Sequence, residues 1–236
     1  MGGSGLKGLD ATVTTAIAPD RTAPPLGGKH HFLLRRLHSL TGIVFGGYVA
    51  VHLIVNATLA QGASVFQAQV DKIHSLPFLA AIEWLLLYIP ILYHTSYGGW
   101  IILTGQPNNG SYPYFKNTFY LLQRFSAVIL AAFILYHVLA MKGWFGSAFD
   151  PARAAATARD NIDAHWLVAG LVYPIGILAA CFHTANGFWT AGITWGLTIS
   201  AASQKRWGLL CIGLFVLMTV AGLAALIAII AGPHAA

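Results

Sequence analysis

The chain has 236 residues, of which 57% are hydrophobic and only 8% charged, against roughly 25% charged in an ordinary soluble domain. Its apolar runs are continuous rather than alternating, which excludes a β-barrel and leaves an all-α, polytopic membrane protein. A formal charge of +6 invites a nucleic-acid reading, but the Lys and Arg residues flank the apolar runs, where they signal topology; no nucleic-acid partner is expected.

Residues 1–28, rich in Gly, Ala, Thr and Pro, are expected to form a flexible cytoplasmic tail. They hold no apolar core followed by a small-residue cleavage site, so no removed signal peptide is expected. Residues 29–236 read as one transmembrane domain without internal repeat. Its five helices are expected over roughly 37–60, 77–104, 119–142, 164–195 and 207–231.

The first segment opens on Arg35-Arg36-Leu37-His38 and carries Gly42 and Gly46, a spacing of small residues that permits close helix approach. The second holds a carboxylate, Glu83, and an imidazole, His94. About eleven residues separate them, three turns of a regular helix, so they are expected to share a face. Pro90, one turn before His94, removes a backbone N–H and invites a kink. Asn108-Asn109-Gly110 marks the next turn. A long polar link, 143–163, precedes the fourth segment, and Gln204-Lys205-Arg206 precedes the fifth. Cys181 and Cys211 lie inside apolar runs, and no C-x-x-C-H occurs, which argues against covalent haem attachment.

Counted by side, Lys7, Arg21, Lys29, Arg35, Arg36, Lys116, Arg124, Lys205 and Arg206 fall together. The opposite side receives Lys72, Lys142, Arg153 and Arg159. The positive-inside rule then puts the N-terminus in the cytoplasm and the C-terminus outside.

Histidines lie deep in four of the five segments: His52, His94, His137 and His183. Ionisable groups inside a span are costly and mark function. A lone imidazole serves equally to bond a neighbouring helix, but one on each of four helices is what two bis-histidine haems require. Depth selects the pairs. His52 and His137 lie ~9–13 Å from the outer ends of their helices, His94 and His183 ~26–30 Å, at 1.5 Å per residue. The pairs are therefore His52 with His137 near the outer face and His94 with His183 near the cytoplasmic face, with two irons ~15 Å apart along the normal. His38 lies on nearly the same helix face as His52 and is expected at the inner interface, either near a haem propionate or simply interfacial. His165 is expected to be interfacial, and His30, His31, His74 and His234 to be solvated. Trp84, Tyr88 and Tyr93 suit packing or the membrane interface.

Several stretches carry a family resemblance: RRLHSLTG (35–42), VHL around His52, SLPF (75–78), PILYHTSYG (90–98), LQRFSAV (122–128), YHV (136–138), FHTANGFW (182–189) and TWG (194–196). From about His31 to Ile230 the chain resembles the single-chain, five-helix, dihaem cytochrome b anchor of Bacillus-type succinate dehydrogenase and fumarate reductase. The resemblance implies haem ligands at His52, His94, His137 and His183, in the pairs that depth selects. It also implies flavoprotein and iron–sulfur partner subunits that carry the dicarboxylate chemistry. Electrons would pass from the iron–sulfur subunit through two haem b groups to menaquinone or another quinone, in a bacterial cytoplasmic membrane.

The basic rim, with Arg35, Arg36 and Arg124 foremost, suits docking of those subunits and neutralisation of haem propionates, or else headgroup contact alone. Glu83, near the level of the outer haem, suits proton transfer to or from the quinone, since burial disfavours its charged form; the plainer reading is a carboxyl bonded to a neighbouring helix. Two other functions fit less of the chain. A dihaem anchor of a formate dehydrogenase or hydrogenase shares the histidines but not FHTANGFW or PILYHTSYG. A transporter with histidine proton relays predicts no haem absorbance.

Overall fold

A computed structural model describes residues 29–105, 115–163 and 165–232. The tail expected over 1–28, the Asn108-Asn109-Gly110 turn and His234 lie outside the described residues. The helices in order are α1 (Lys29–Ala57), α2 (Ala63–His74), α3 (Leu79–Glu83), α4 (Ile89–Thr104), α5 (Phe115–Met141), α6 (Ala154–Ile162), α7 (Tyr173–Thr194) and α8 (Ala201–Ala231). Five continuous spans of 25 to 32 residues are long and apolar enough to cross a bilayer. The shortest measures about 38 Å at 1.5 Å per residue, against about 30 Å of hydrocarbon. Their outer surfaces are apolar: Leu85, Leu103 and Leu210 are strongly exposed, as lipid-facing residues are in a bilayer protein.

Two spans are not uniform helices. Between α3 and α4 the chain makes a wide π turn, Trp84–Tyr88, and another, Val168–Val172, leads into α7. Each ends two residues before a proline, Pro90 and Pro174. Proline cannot donate to the carbonyl four residues back, and its ring crowds that carbonyl. The carbonyls concerned belong to Leu86 and Gly170, both inside the wide turns, so widening relieves the clash. A π turn holds one residue more than an α turn, on the order of 100° of phase. The regular-helix spacing that put Glu83 on the His94 face therefore does not carry across Trp84–Tyr88.

The first and fifth spans also begin earlier than hydropathy alone suggests. α1 starts at Lys29, so Arg35, Arg36 and His38 are helical. α8 starts at Ala201 because Ser200 and Ser203 form a reciprocal capping box, which puts Gln204, Lys205 and Arg206 inside the helix rather than in a link.

Two connections expected as loops are partly helical. α2 follows the first span and turns Phe66 and Val70, one turn apart, into the core. The link 143–163 contains α6, whose buried Ala154, Thr157, Ala158, Asn161 and Ile162 form a single face. Gln67 joins them: its amide donates to the Pro151 carbonyl at 2.7 Å and accepts from the Ala154 N–H at 3.1 Å. Asp150 caps the turn before α6. The Ala152 N–H, then Arg153, hold its carboxyl below the usual carboxylate range, so this exposed turn is intact at neutral pH and loosens as pH falls through that lowered value. Together α2 and α6 form a cover over the bundle at the end where His52 and His137 lie.

Around the bundle, α4, α1, α7 and α5 are packed neighbours in that order, and α8 packs against α1 and α7. α1 and α5, and likewise α4 and α7, are not among the extensively packed pairs of the described residues. Glycines set the close approaches. A Cβ at Gly42 would stand 2.6 Å from the His94 ring, and one at Gly46 3.1 Å from Thr184. At Gly176 a Cβ would fall 2.3 Å from the Phe133 ring. Gly176→Ala is therefore expected to force α5 from α7 and destabilise the bundle by about 1–3 kcal/mol, the usual cost of overpacking. Thermal denaturation of the detergent-solubilised protein measures this.

Candidate functional site: two imidazole pairs

His94 follows Pro90 by one turn on α4, and His183 lies mid-way along α7. Their ring centroids are 6.1 Å apart with planes at 86°. The second nitrogen of each ring is occupied. His94 Nδ1 lies 3.0 Å from the His38 carbonyl, and His183 Nδ1 lies 3.2 Å from the Gln123 carbonyl, with Ser126 Oγ at 3.4 Å. A carbonyl only accepts, so in these bonds Nδ1 carries the proton and Nε2 keeps its lone pair. Gln123 holds His183 a second time: its amide donates to the His183 carbonyl at 3.0 Å and accepts from Asn186 at 2.7 Å.

His52 on α1 and His137 on α5 form the other pair, with centroids 6.0 Å apart and planes at 74°. His137 Nδ1 is 3.0 Å from the Tyr173 hydroxyl. Tyr48 stacks on His52 at 5.7 Å and Phe133 on His137 at 5.9 Å. The structure thus brings together the two pairs that depth selects, each on helices that face across the ring.

Three observations test whether a metalloporphyrin suits these residues. Two imidazoles on opposite sides of one metal, with bonds of about 2 Å, have centroids roughly 6 Å apart; both pairs have that separation. Among the described residues no three His, Cys, Asp or Glu side chains converge as a self-sufficient metal site needs, whereas axial ligation needs only two. Finally, His38 Nδ1, Tyr97 Oη and Arg124 Nε are buried without hydrogen-bond partners among the described residues. His38 stacks on His94 at 4.0 Å and tilts against Tyr97 at 5.6 Å. Arg124 is bonded to α4 only one to two turns beyond Tyr97. Polar atoms left so beside an imidazole pair suit an acidic group such as a propionate. The residues fit haem.

The remaining candidates stand as follows. Arg35 is exposed. Arg36 lies over Phe32 and Trp195 at 5.0 and 4.8 Å, and the Trp195 indole donates to Ser39 at 3.0 Å, tying the start of α1 to the end of α7. Arg124 donates to the Gly105 and Ile101 carbonyls at 3.0 and 3.2 Å, capping α4 where its dipole favours a cation. Glu83 is half-buried. His30, His74 and His165 are exposed, while His31 packs edgewise on Trp100 at 5.7 Å.

Sequence reasoning passed over Gln123, Ser126, Asn186 and Tyr173. Gln123 and Asn186 had a readable signal, being polar amides in apolar segments, the second one turn after His183. Tyr173 had none, because its direction depends on the wide turn before it.

A helical membrane bundle with two facing imidazole pairs is the architecture of a membrane cytochrome. Residues 107–223 match the family described as succinate dehydrogenase/fumarate reductase transmembrane subunit. The chain is also similar to the succinate dehydrogenase cytochrome b558 subunit of Bacillus subtilis (strain 168), with 32% identity over 209 residues, covering 87% of this chain and all of that protein. The chain belongs to the succinate dehydrogenase/fumarate reductase transmembrane subunit family and is a cytochrome b subunit of that kind.

Asn186→Ala removes the donor to Gln123 and leaves a buried amide oxygen unpaired, a loss of about 1–3 kcal/mol. A lower denaturation temperature with looser retention of bound haem is the expected result, followed by absorbance on heating.

Proposed function

We propose that this chain holds two haem b groups, one between His52 and His137 and one between His94 and His183. In this reading it couples the flavoprotein and iron–sulfur subunits of a succinate dehydrogenase to menaquinone or another membrane quinone. The dicarboxylate chemistry stays on the partner subunits. The observation that carries the reading is the equal separation of the two ring pairs, 6.0 and 6.1 Å. When bound, the two haems supply one-electron redox chemistry inside the bilayer.

The chain's own residues hold and orient these groups. The main-chain carbonyls of His38 and Gln123 fix the tautomers of His94 and His183, so that Nε2 faces the metal. His38, Tyr97 and Arg124 offer their unpartnered polar atoms to the propionates of the His94/His183 haem. Arg35, Lys205 and Arg206, exposed at that same end, form with Arg36 a basic rim for the soluble subunits and the anionic leaflet. That end faces the cytoplasm of a bacterial inner membrane, with the N-terminus inside and the C-terminus outside. The His52/His137 end, beneath α2 and α6, is the outer one.

A pyridine haemochrome assay of the purified complex, with succinate and fumarate as test substrates, is expected to return about two haem b per chain. His52→Leu or His137→Leu removes one haem, His94→Leu or His183→Leu the other, and His38→Leu neither. A wild-type complex without haem, or one in which the four substitutions do not divide two and two, ends this reading.

Glu83 serves proton transfer with the quinone at the outer end. Its support is its place and chemistry, a half-buried carboxyl within a membrane-spanning segment. Glu83→Gln keeps shape and removes the exchangeable charge. Succinate:quinone turnover is expected to fall by about 10²-fold or more, the usual scale for a lost acid–base group, with both haems retained. Haem loss instead assigns Glu83 to structure.

A further inference from the structure

The wide turn Val168–Val172 ends where α7 begins, and the first residue of that helix is Tyr173, directly before Pro174. Tyr173 is 5% exposed. A phenol in such a position needs a hydrogen-bond partner, or its hydroxyl loses what water gave it. The partner is His137 Nδ1, at 3.0 Å. The Tyr173 ring is held from two sides, edgewise against Phe133 (5.3 Å, 87°) and against His137 itself (5.8 Å, 79°). Gly176, one turn later, lets the Phe133 ring lie against α7.

The contrast with the other pair is chemical. His94 and His183 each give Nδ1 to a main-chain carbonyl, an acceptor that comes with the backbone and that no substitution removes. His137 gives Nδ1 to a side chain. A phenol oxygen is the weaker acceptor and the only one of the three that a single substitution can delete. The outer end orients His137 through an adjustable contact.

We propose that Tyr173 is a positioning residue for the outer haem ligand: it accepts the Nδ1–H of His137, fixes the ring and its tautomer, and thereby sets the electron density that Nε2 offers to iron. This inference rests on the haem assignment above. An acceptor at Nδ1 makes an imidazole a stronger donor and so favours the ferric state; deleting the acceptor raises the midpoint potential of that haem alone.

The test uses the assembled complex carrying Tyr173→Phe, which keeps the ring and its packing and loses only the hydroxyl. Haem content is counted first, then each haem is followed in a redox titration and by its ferric low-spin resonance signal. The expected result is two haems, an upward shift of the His52/His137 haem potential with an altered resonance signal, and no change at the other haem. Selective loss of the His52/His137 haem supports the same role. Tyr173→His, whose ring offers another acceptor, is expected to return the potential toward wild type. Two haems with both potentials and signals unchanged in Tyr173→Phe overturn the proposal, as does equal disturbance of both haems. Failure of both variants to assemble assigns Tyr173 to packing and overturns it too. A wild-type complex lacking one haem is a different failure, since it removes the haem assignment itself.

Discussion

An imidazole inside a bilayer carries two polar nitrogens into a medium that offers neither a partner. That constraint organises this molecule. Three of the four intramembrane histidines direct Nδ1 to an internal group, the carbonyls of His38 and Gln123 and the Tyr173 hydroxyl. Once Nδ1 is committed, Nε2 is the nitrogen left for a ligand, and in each pair it belongs to a ring about one metal width from its counterpart. Leaving a buried polar group unpaired costs more than a typical bond returns. Four such imidazoles are therefore costly unless each finds a partner, and they stand in two pairs of matching separation.

The helix packing follows from the same need. Had α1 packed on α5, or α4 on α7, the rings of each pair would have no room for a flat group between them. Instead close contacts run around the ring of helices and are made by small residues. Gly42 and Gly46 bring α1 against His94 and Thr184, and Gly176 admits Phe133. In lipid no hydrophobic force draws helices together, so small residues and internal hydrogen bonds set the neighbours. α8 carries none of the four histidines; it buries Cys211, Met218, Gly222, Ala225 and Leu226 and supports α1 and α7 from outside.

Much of this was legible in the chain. Five long apolar runs have few meanings in a protein with so little charge, and histidines within them stand out because they are expensive. Counting residues from the segment ends was enough to match His52 with His137 and His94 with His183, since rise per residue in a helix is nearly constant. Rotation about the axis was less secure. Rise changes little across a wide turn but phase changes by on the order of 100°, so depth survived where the shared face of Glu83 and His94 did not. The short α2 and α6 were missed for another reason: each buries one narrow face under a polar sequence, and that face has meaning only once the bundle beneath it exists. The capping role of Arg124 and the hold of Gln123 on His183 also depend on which helices become neighbours, which no local pattern encodes.

The two wide turns join these levels. Each exists because a proline two residues later cannot accept a regular turn before it, and each lies in a span that carries an axial-ligand candidate, His94 or His183. In the second span the turn separates the regular helix bearing His94 from the short one bearing Glu83, so the direction of the carboxyl is not tied to the His94 register. In the fourth it sets Tyr173 at the head of the helix that carries His183 mid-way along it, so that one span contributes to both pairs, to one through a phenol and to the other through an imidazole. A uniform helix links every residue's direction to every other's. Breaking that link in these two spans lets the residues near the His52/His137 pair and those near the His94/His183 pair be oriented independently, which two pairs at different depths of the same bundle require.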